Sequence, residues 1–375
     1  MKNKLITSAL VTSMVGFGSA AVAQTTISGN LELTYNAVKD KATPHRSFRG
    51  FGKESQINLA NKGKLNNGMD YAAGFSLEFD GPDVNFATAS AANAATGSNV
   101  HSENVYIDII SGDTTLTIGA DHIQNPDTHL PMLAGFGYLR FDGLNGVTGL
   151  YPAGANSPYS AYGAGVMQKT PIGTFSALYV PTNNTNSGAG NDIHNSASAS
   201  SFEPTSIIAG NDESAYEFGF RGDLGVKGLT VLAFINKSDR PDSEATSDIK
   251  GRRLSASYVT GPFSIAADYV KVEGAAVGAS ATATNRDFEV KGRMLGLGYA
   301  VTPNLTASIT RGKADTNCTT GGTVCGTNDE VTDSFAIGYN LGALTSTLQF
   351  KQVEDSNGVA GRDGKSIQAR IGARF

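Results

Sequence analysis

The chain has 375 residues, a formal net charge of −5 and only 17% charged residues, and it contains 45 glycines but no tryptophan. This acidic balance argues against nucleic acid as a partner, because phosphate binding needs a basic face. Beyond its first residues, the sequence has no apolar stretch near the roughly 18 residues of a membrane-spanning helix. Its many Gly, Thr, Ser, Ala and Tyr residues favour a sheet protein with one polar and one apolar face.

Residues 1–23 have the features of a targeting segment. Lys2 and Lys4 precede an apolar stretch, and Ala21-Val22-Ala23 before Gln24 forms a small-residue cleavage site. The apolar run is too short for a spanning helix, although an uncleaved N-terminal anchor is an alternative. We therefore predict a signal peptide at 1–23 and a single domain over 24–375.

Stretches of alternating apolar and polar residues then recur along the chain, and each predicts a β-strand with one apolar face. In the last one, Ile367, Ala369, Ile371, Ala373 and Phe375 occupy every second position. About sixteen strands are predicted: Thr25–Tyr35, Gln56–Asn61, Asp70–Phe79, Asn104–Ile110, Thr114–Ala120, Ala161–Lys169, Thr174–Val180, Ala215–Gly222, Leu229–Asn236, Arg252–Val259, Phe263–Val272, Phe288–Val301, Leu305–Gly312, Ser334–Leu341, Leu344–Val353 and Ser366–Phe375.

The connections between these strands alternate between short turns and long polar loops. Short turns such as Ser111-Gly112-Asp113 and Thr260-Gly261-Pro262 contain the residues that tight turns require. Long loops include Asp80–Glu103, Asp121–Ser160 and Lys313–Asp333. A transmembrane barrel has short turns on the periplasmic side and long loops outside, whereas a soluble sandwich has no reason to alternate in this way. We therefore predict an all-β, antiparallel up-and-down transmembrane barrel.

Two cysteines, Cys318 and Cys325, lie in a Gly- and Thr-rich stretch. An exported chain reaches an oxidising compartment, so we predict a disulfide between them. A metal site is not expected, because no His is near and two thiolates are half of a structural zinc set.

The opening Thr25-Thr26-Ile27-Ser28-Gly29-Asn30-Leu31-Glu32, the Gly119-Ala120-Asp121 stretch and the terminal Phe375 resemble the general porin family of proteobacteria. The resemblance covers the whole of 24–375 in layout. It implies a homotrimer in the outer membrane of a Gram-negative bacterium, with the third extracellular loop folded into each pore. It also implies that Phe375 is the signal read by the outer-membrane assembly machinery. The Pro-Glu-Phe-Gly-Gly stretch of enterobacterial members is missing from this sequence.

The resemblance further implies that acids on the third loop face basic residues on the barrel wall. The loop candidates are Asp121, Asp127, Arg140 and Asp142. On the wall, strand parity assigns charges to the lumen when their neighbours are apolar, since a charge facing mid-bilayer lipid costs about 2–4 kcal/mol. The wall candidates are Glu32, Glu78, Asp108, Glu217, Arg221, Arg253, Asp268, Lys351, Arg370 and Arg374.

The function predicted on this basis is passive diffusion of ions and small hydrophilic solutes, without a cofactor or metal and with a weak preference for cations. A substrate-specific channel is the alternative, and a surface structural or adhesive β-protein is a further one. An enzyme is not expected, because the five histidines lie in loops and no G-x-S-x-G or H-E-x-x-H motif occurs.

Overall fold

The computed structural model describes residues 24–40, 46–79, 100–119, 163–181, 214–239, 248–276, 286–318, 328–356 and 360–375. They form sixteen antiparallel strands in one closed barrel in which each strand pairs with its sequence neighbours and β1 pairs with β16. The strands are β1 Gln24–Asp40, β2 Arg46–Lys64, β3 Asp70–Phe79, β4 Val100–Ser111, β5 Thr114–Gly119, β6 Gly163–Thr170, β7 Gly173–Val180, β8 Ser214–Gly222, β9 Leu229–Asp239, β10 Ile249–Thr260, β11 Phe263–Ala276, β12 Arg286–Thr302, β13 Leu305–Cys318, β14 Glu330–Leu341, β15 Leu344–Glu354 and β16 Gly364–Arg374.

Connection length separates the two ends of the barrel. The seven connections at one end, here called the short-turn end, contain two to six residues, whereas those at the long-connection end contain up to 43. Gly261-Pro262 is one of the two-residue turns, and Gly261 adopts a φ of 56°, which a residue with a side chain rarely adopts. The predicted barrel, its strand number and its alternation of short and long connections are confirmed.

The wall has an exposed apolar face and a buried face with many polar residues. On β12, Leu295 and Leu297 are 64% and 53% exposed and alternate with Met294, which is 4% exposed, and with buried glycines. Across the other strands, exposed Leu, Ile, Phe and Tyr side chains likewise alternate with buried Ser, Thr, Asp, Glu and Arg. In a closed barrel the exposed face is the outside, so the apolar residues form a continuous outer belt.

Tyrosine and phenylalanine border the outer belt without any tryptophan. Tyr258, Tyr299 and Tyr339 lie toward the short-turn end, and the Tyr299 ring packs against Phe263 with 5.0 Å between centroids. Toward the other end, Tyr35 packs against Phe51 at 5.2 Å. Amphipathic rings of this kind flank the apolar band of membrane barrels.

Several strands extend beyond their predicted bounds at the long-connection end. β2 begins at Arg46 instead of Gln56, β13 continues to Cys318, and β14 begins at Glu330, inside the loop predicted for Lys313–Asp333. The predicted bounds were wrong there because outward residues beyond the apolar belt, such as Lys313 and Asp315, are charged. An alternation of apolar and polar residues no longer marks the strand, although backbone pairing continues as far as Phe288 opposite Cys318.

Some predictions fall outside the described residues. These are the signal peptide at 1–23, the third loop folded into the pore with Asp121, Asp127, Arg140 and Asp142, and Cys325. The pairing of Cys325 with Cys318, the last residue of β13, therefore stays a prediction.

The seam between β1 and β16 is closed by the last residue of the sequence. The backbone N–H of Gly29 donates to the carbonyl of Phe375 at 2.9 Å, and the Phe375 N–H donates back at 3.0 Å. A Cβ atom at position 29 would lie 2.6 Å from the Phe375 ring and 2.4 Å from the carbonyl oxygen of Gln56. An aromatic ring therefore packs over a strand glycine at the point of closure. Such a contact between an aromatic residue and a glycine stabilises sheet edges.

We expect Gly29→Ala to lower the folded fraction, because overpacking at a tight site costs about 1–3 kcal/mol. Heat-modifiable gel mobility after refolding into detergent measures that fraction. Gly52→Ala is the control, since a Cβ at position 52 meets nothing within 4 Å. Equal folded fractions for both variants would contradict the importance of the Gly29–Phe375 contact.

Candidate functional site: the barrel interior

All ten wall candidates occupy inward positions of their strands. Glu78, Asp108, Glu217, Arg253, Asp268 and Lys351 are buried, whereas Arg221 and Arg374 are exposed near the short-turn end. Cross-strand partners place Glu217 opposite Leu178, and Asp108 opposite Ala72, on the same buried face. The structure thus brings acids and bases to one interior surface, while their role in solute passage stays a prediction.

Arg253 and Asp268 form a fully buried ion pair of the interior, with both side chains at 0% exposure. Arg253 Nε donates to Asp268 Oδ1 at 2.8 Å, and a second guanidinium nitrogen donates to Oδ2 at 3.3 Å. Ser255, directly opposite Asp268 in the register, donates its hydroxyl to the same carboxylate. Two neighbouring strands, β10 and β11, therefore hold a two-point charge pair that fixes their inward side chains.

A second inward ion pair spans the seam between β1 and β16. Arg370 Nε lies 3.0 Å from Glu32 Oε1, with side-chain exposures of 40% and 20%. The N–H is not aligned for a hydrogen bond to this oxygen, so the contact is mainly electrostatic. Nearby, the Gln368 amide donates to Asn36 Oδ1 at 3.0 Å, also across the seam.

Hydrogen bonds to neighbouring polar residues hold two other inward acids. Asp108 on β4 accepts a hydrogen bond from the Thr117 hydroxyl on β5. Glu217 on β8 accepts one from the Asn236 amide on β9 at 3.2 Å. These partners limit the rotamers of the carboxylates, so the interior charges have defined positions.

Two groups of interior residues were not predicted from the sequence. One is polar: Glu330 is 1% exposed, and the Thr310 and Ser334 hydroxyls lie 2.9 Å apart. The other is apolar and lies on β7 to β11. It contains Leu178, Val180, Leu232, Phe234, Ile249, Val270 and Val272, none more than 4% exposed. Strand parity would have found both groups if it had been applied to uncharged residues and extended to the true strand ends.

The described residues contain no group of three His, Cys, Asp or Glu side chains that could hold a metal ion. No helix within the described ranges is long and apolar enough to cross a membrane. Asp329 lies outside the strands, just before β14, and the Lys313 ammonium, 2.6 Å away, holds the pKa of its carboxyl below the ordinary value.

The sequence profile of the family described as Gram-negative porin matches residues 8–358 of the chain. The chain belongs to this family. The profile spans nearly all of the barrel strands, so the family and the closed fold together support an outer-membrane location. No curated protein sequence is significantly similar to this porin.

Solved structures resemble this porin along nearly its full length. The anion-selective porin from Comamonas acidovorans has a TM-score of 0.62 at 13% identity, covering 94% of this chain and 100% of that chain. The outer-membrane channel DcaP of Acinetobacter baumannii has a TM-score of 0.63 at 10% identity, with 96% and 100% covered. OprB of Pseudomonas putida has a TM-score of 0.58 at 13% identity, with 94% of each chain covered. At these identities the likeness concerns the fold alone.

Removing one partner of the Arg253–Asp268 pair should destabilise the porin strongly. Arg253→Met leaves the Asp268 carboxylate buried without its cation, which typically costs about 3–5 kcal/mol. Asp268→Leu combined with Arg253→Met should recover most of the loss, because both charges are then gone. Urea unfolding of the porin in lipid vesicles measures these differences.

The exposed pair Lys64–Asp70 provides the matched control, with side-chain exposures of 60% and 53%. Asp70→Asn should change the unfolding free energy by less than about 1 kcal/mol. A double variant at 253 and 268 that unfolds as easily as Arg253→Met would contradict the assignment of the loss to an uncompensated charge.

Proposed function

We propose that this porin is a general diffusion channel for ions and small hydrophilic solutes. The observation that carries the proposal is the closed wall with an apolar outside and a charged, hydroxyl-rich inside. Lipid solvates the outside of such a wall, and water can fill the inside, so hydrophilic solutes cross without contacting hydrocarbon. Export through a signal peptide at 1–23, with assembly signalled by Phe375, is part of the same proposal.

A constriction by residues 120–162 is supported by the interior apolar group on β7 to β11. A wall one strand thick does not by itself cover inward side chains, yet Val180, Ile249 and Val270 are fully buried. Residues 120–162 lie between β5 and β6 and contain Leu130, Met132 and Phe136, which could cover this apolar surface. We infer that apolar docking holds this segment inside, with Asp121, Asp127, Arg140 and Asp142 available for the solute path.

A homotrimer is supported by the family and by one solved relative, described as a trimer form of OmpT from Vibrio cholerae, which has a TM-score of 0.57 at 12% identity. Outward positions of β3 to β8 hold no charged residue, which suits a buried contact between barrels. Gel electrophoresis without boiling, compared with boiled samples, decides between a trimer and single barrels.

Weak cation selectivity is supported by the interior charges of β1 to β8. The acids Glu32, Glu78, Asp108 and Glu217 lie on these strands away from the short-turn end, where Arg221 is found. On β10 and β11, Arg253 is neutralised by Asp268. Glu32 is offset by Arg370 across the seam. Away from the short-turn end, Glu78, Asp108 and Glu217 still leave the first half of the wall more negative than positive, which favours cations.

We expect a reversal potential that shows a modest cation preference in a salt gradient across a planar bilayer. Glu78→Gln and Asp142→Asn should each shift it toward anions without unfolding the barrel, and Asp127→Asn should do so if it faces the path. Lys64→Gln, at the short-turn end, is the control and should have a smaller effect. Strong anion preference of the unmodified porin would refute the cation-leaning proposal.

Liposome swelling with sugars of graded size distinguishes a general from a substrate-specific channel. A general channel should pass sugars at rates that fall smoothly with size, since only diameter and field act as a sieve. The interior apolar group does not favour a specific site for an apolar solute, because its side chains are buried. One sugar that enters far faster than smaller ones would contradict the general-channel proposal.

A further inference from the structure

Charge is absent from one side of the outer face of the barrel. Outward positions of β3 to β8 hold no Asp, Glu, Lys or Arg. Outward positions of β9 to β14 hold many, all toward the long-connection end: Lys237, Asp239, Lys250, Arg252, Lys271, Glu273, Glu289, Lys291, Arg293, Arg311, Lys313, Asp315 and Asp333.

The residue next to the apolar belt is a base on each of five consecutive strands. Among the outer-face residues, taken along each strand from the belt toward the long-connection end, Lys237 follows Ile235, Arg252 follows Leu254, Lys271 follows Tyr269, Arg293 follows Leu295, and Arg311 follows Ile309. Acids such as Asp239 and Glu273 lie one step farther from the belt. This basic row is therefore at the level where the belt meets the polar part of a surrounding lipid layer.

Bases in the basic row and one step beyond it lie directly opposite one another. Arg252 lies opposite Lys271, and Arg293 lies opposite Lys313, arrangements that destabilise a sheet by themselves. The lysines are compensated by acids: Lys271 pairs with Glu273 and Glu289, and Lys313 with Asp315 and Asp329.

The arginines of the row have weaker compensation. Arg293 is 65% exposed with its acid partner 3.8 Å away, and Arg252 has no ion pair with any described acid. An anion supplied from outside the chain would offset the repulsion.

An apolar groove of about 920 Å³ lies beneath one part of this row, on the outside of β12 to β16. Its walls include Leu295, Ile309, Phe335, Phe350 and Ile367. Its rim at the long-connection end is one cross-strand row, Arg311–Asp333–Gln352–Lys365. Arg311 is 70% exposed and 3.5 Å from Asp333, and Lys365 lies opposite a second lysine, Lys39, so the rim has excess positive charge.

We propose that this groove binds a phosphate-bearing acyl lipid of the outer leaflet, with an acyl chain along Phe335 and Phe350 and a phosphate at Arg311 and Lys365. The volume lies within the roughly 300–1,000 Å³ of ligand sites, and the shape, apolar with a basic edge, matches an amphipathic anion. The proposal rests on the proposed function only in its orientation, with the long connections outside the cell.

A second barrel is a poorer occupant of this groove. Close contact between two barrels would bury the exposed charges of Arg311 and Lys365, and burying charge without a partner is costly. A lipid headgroup supplies the opposite charge and stays hydrated, so neither group is left uncompensated.

The absence of tryptophan from the sequence permits a site-specific test. Phe350→Trp places a single reporter in the groove, and Phe263→Trp places one on the outer face of β11 near the short-turn end, where Phe263 is 59% exposed. Each is reconstituted in phosphatidylcholine vesicles with brominated phosphatidylglycerol or, separately, brominated phosphatidylcholine as quencher. We expect half-quenching of Phe350→Trp at a mole fraction of brominated phosphatidylglycerol at least about fivefold lower than that of brominated phosphatidylcholine. The reason is that each base near an anionic headgroup contributes a factor of about five.

The control reporter at 263 should be quenched equally by both lipids. Adding Arg311→Gln and Lys365→Gln should abolish the preference at 350, whereas Lys62→Gln with Lys169→Gln, which removes equal charge elsewhere, should preserve it. Equal quenching at both reporters overturns the lipid site, as does a preference that survives the loss of Arg311 and Lys365. If those two substitutions instead dissociate an oligomer on an unboiled gel, the groove is a subunit contact and the lipid proposal falls.

Conductance recorded in the same vesicles separates this inference from the proposed function. Arg311 and Lys365 lie outside the barrel, so the double variant should conduct like the parent. A conducting protein without lipid preference overturns the lipid site alone, and a lipid-selective protein without conductance overturns the channel alone.

Discussion

Backbone hydrogen bonding without competing water is the constraint on which the rest of the structure depends. In a lipid layer, each unpaired N–H or C=O costs several kcal/mol, so a sheet that crosses it must close on itself. Here the closure is made between the first and last strands, 11 residue pairs from Asn30–Arg374 to Asp40–Gly364, and is completed by Phe375 against Gly29. Once the sheet is closed, every residue faces either outside or inside, and the sequence can assign opposite chemistry to alternate positions.

The central part of each strand was predictable from sequence because outside and inside differ most there. On β3 the predicted and observed bounds, Asp70–Phe79, coincide, since Tyr71, Ala73 and Leu77 alternate with smaller or polar residues. The strand ends were not predictable in the same way. Outward residues such as Lys313 are charged beyond the apolar belt, so both faces become polar and the period of two disappears from hydropathy while the hydrogen bonds continue.

The interior could be predicted only for its charges. Parity assigned Arg253 and Asp268 separately to the inside, but their mutual contact depends on the register of β10 and β11, in which Ser255 stands opposite Asp268. No single-strand pattern contains that register. The inward apolar residues were overlooked for a different reason. A single Val or Ile on the polar side of a strand, such as Val270 or Ile249, is only an isolated exception to the alternation and does not by itself predict an apolar interior surface.

The distribution of charged residues also differs around the circumference of the barrel, and on β10 and β11 both the inner and the outer face carry charges. β10 carries Arg253 on the inside, buried against Asp268 of β11, and the exposed Arg252 on the outside. Adjacent residues of one strand point to opposite faces, so Arg252 and Arg253 are separated by the thickness of the wall although they are neighbours in sequence. The inner base is compensated by a carboxylate within the chain. The outer base has no such described partner, and an anion of the surroundings is the simplest source of compensation. For these two neighbouring arginines, the side of the wall therefore determines whether the guanidinium is neutralised by a carboxylate of the chain or is exposed to solvent and headgroups.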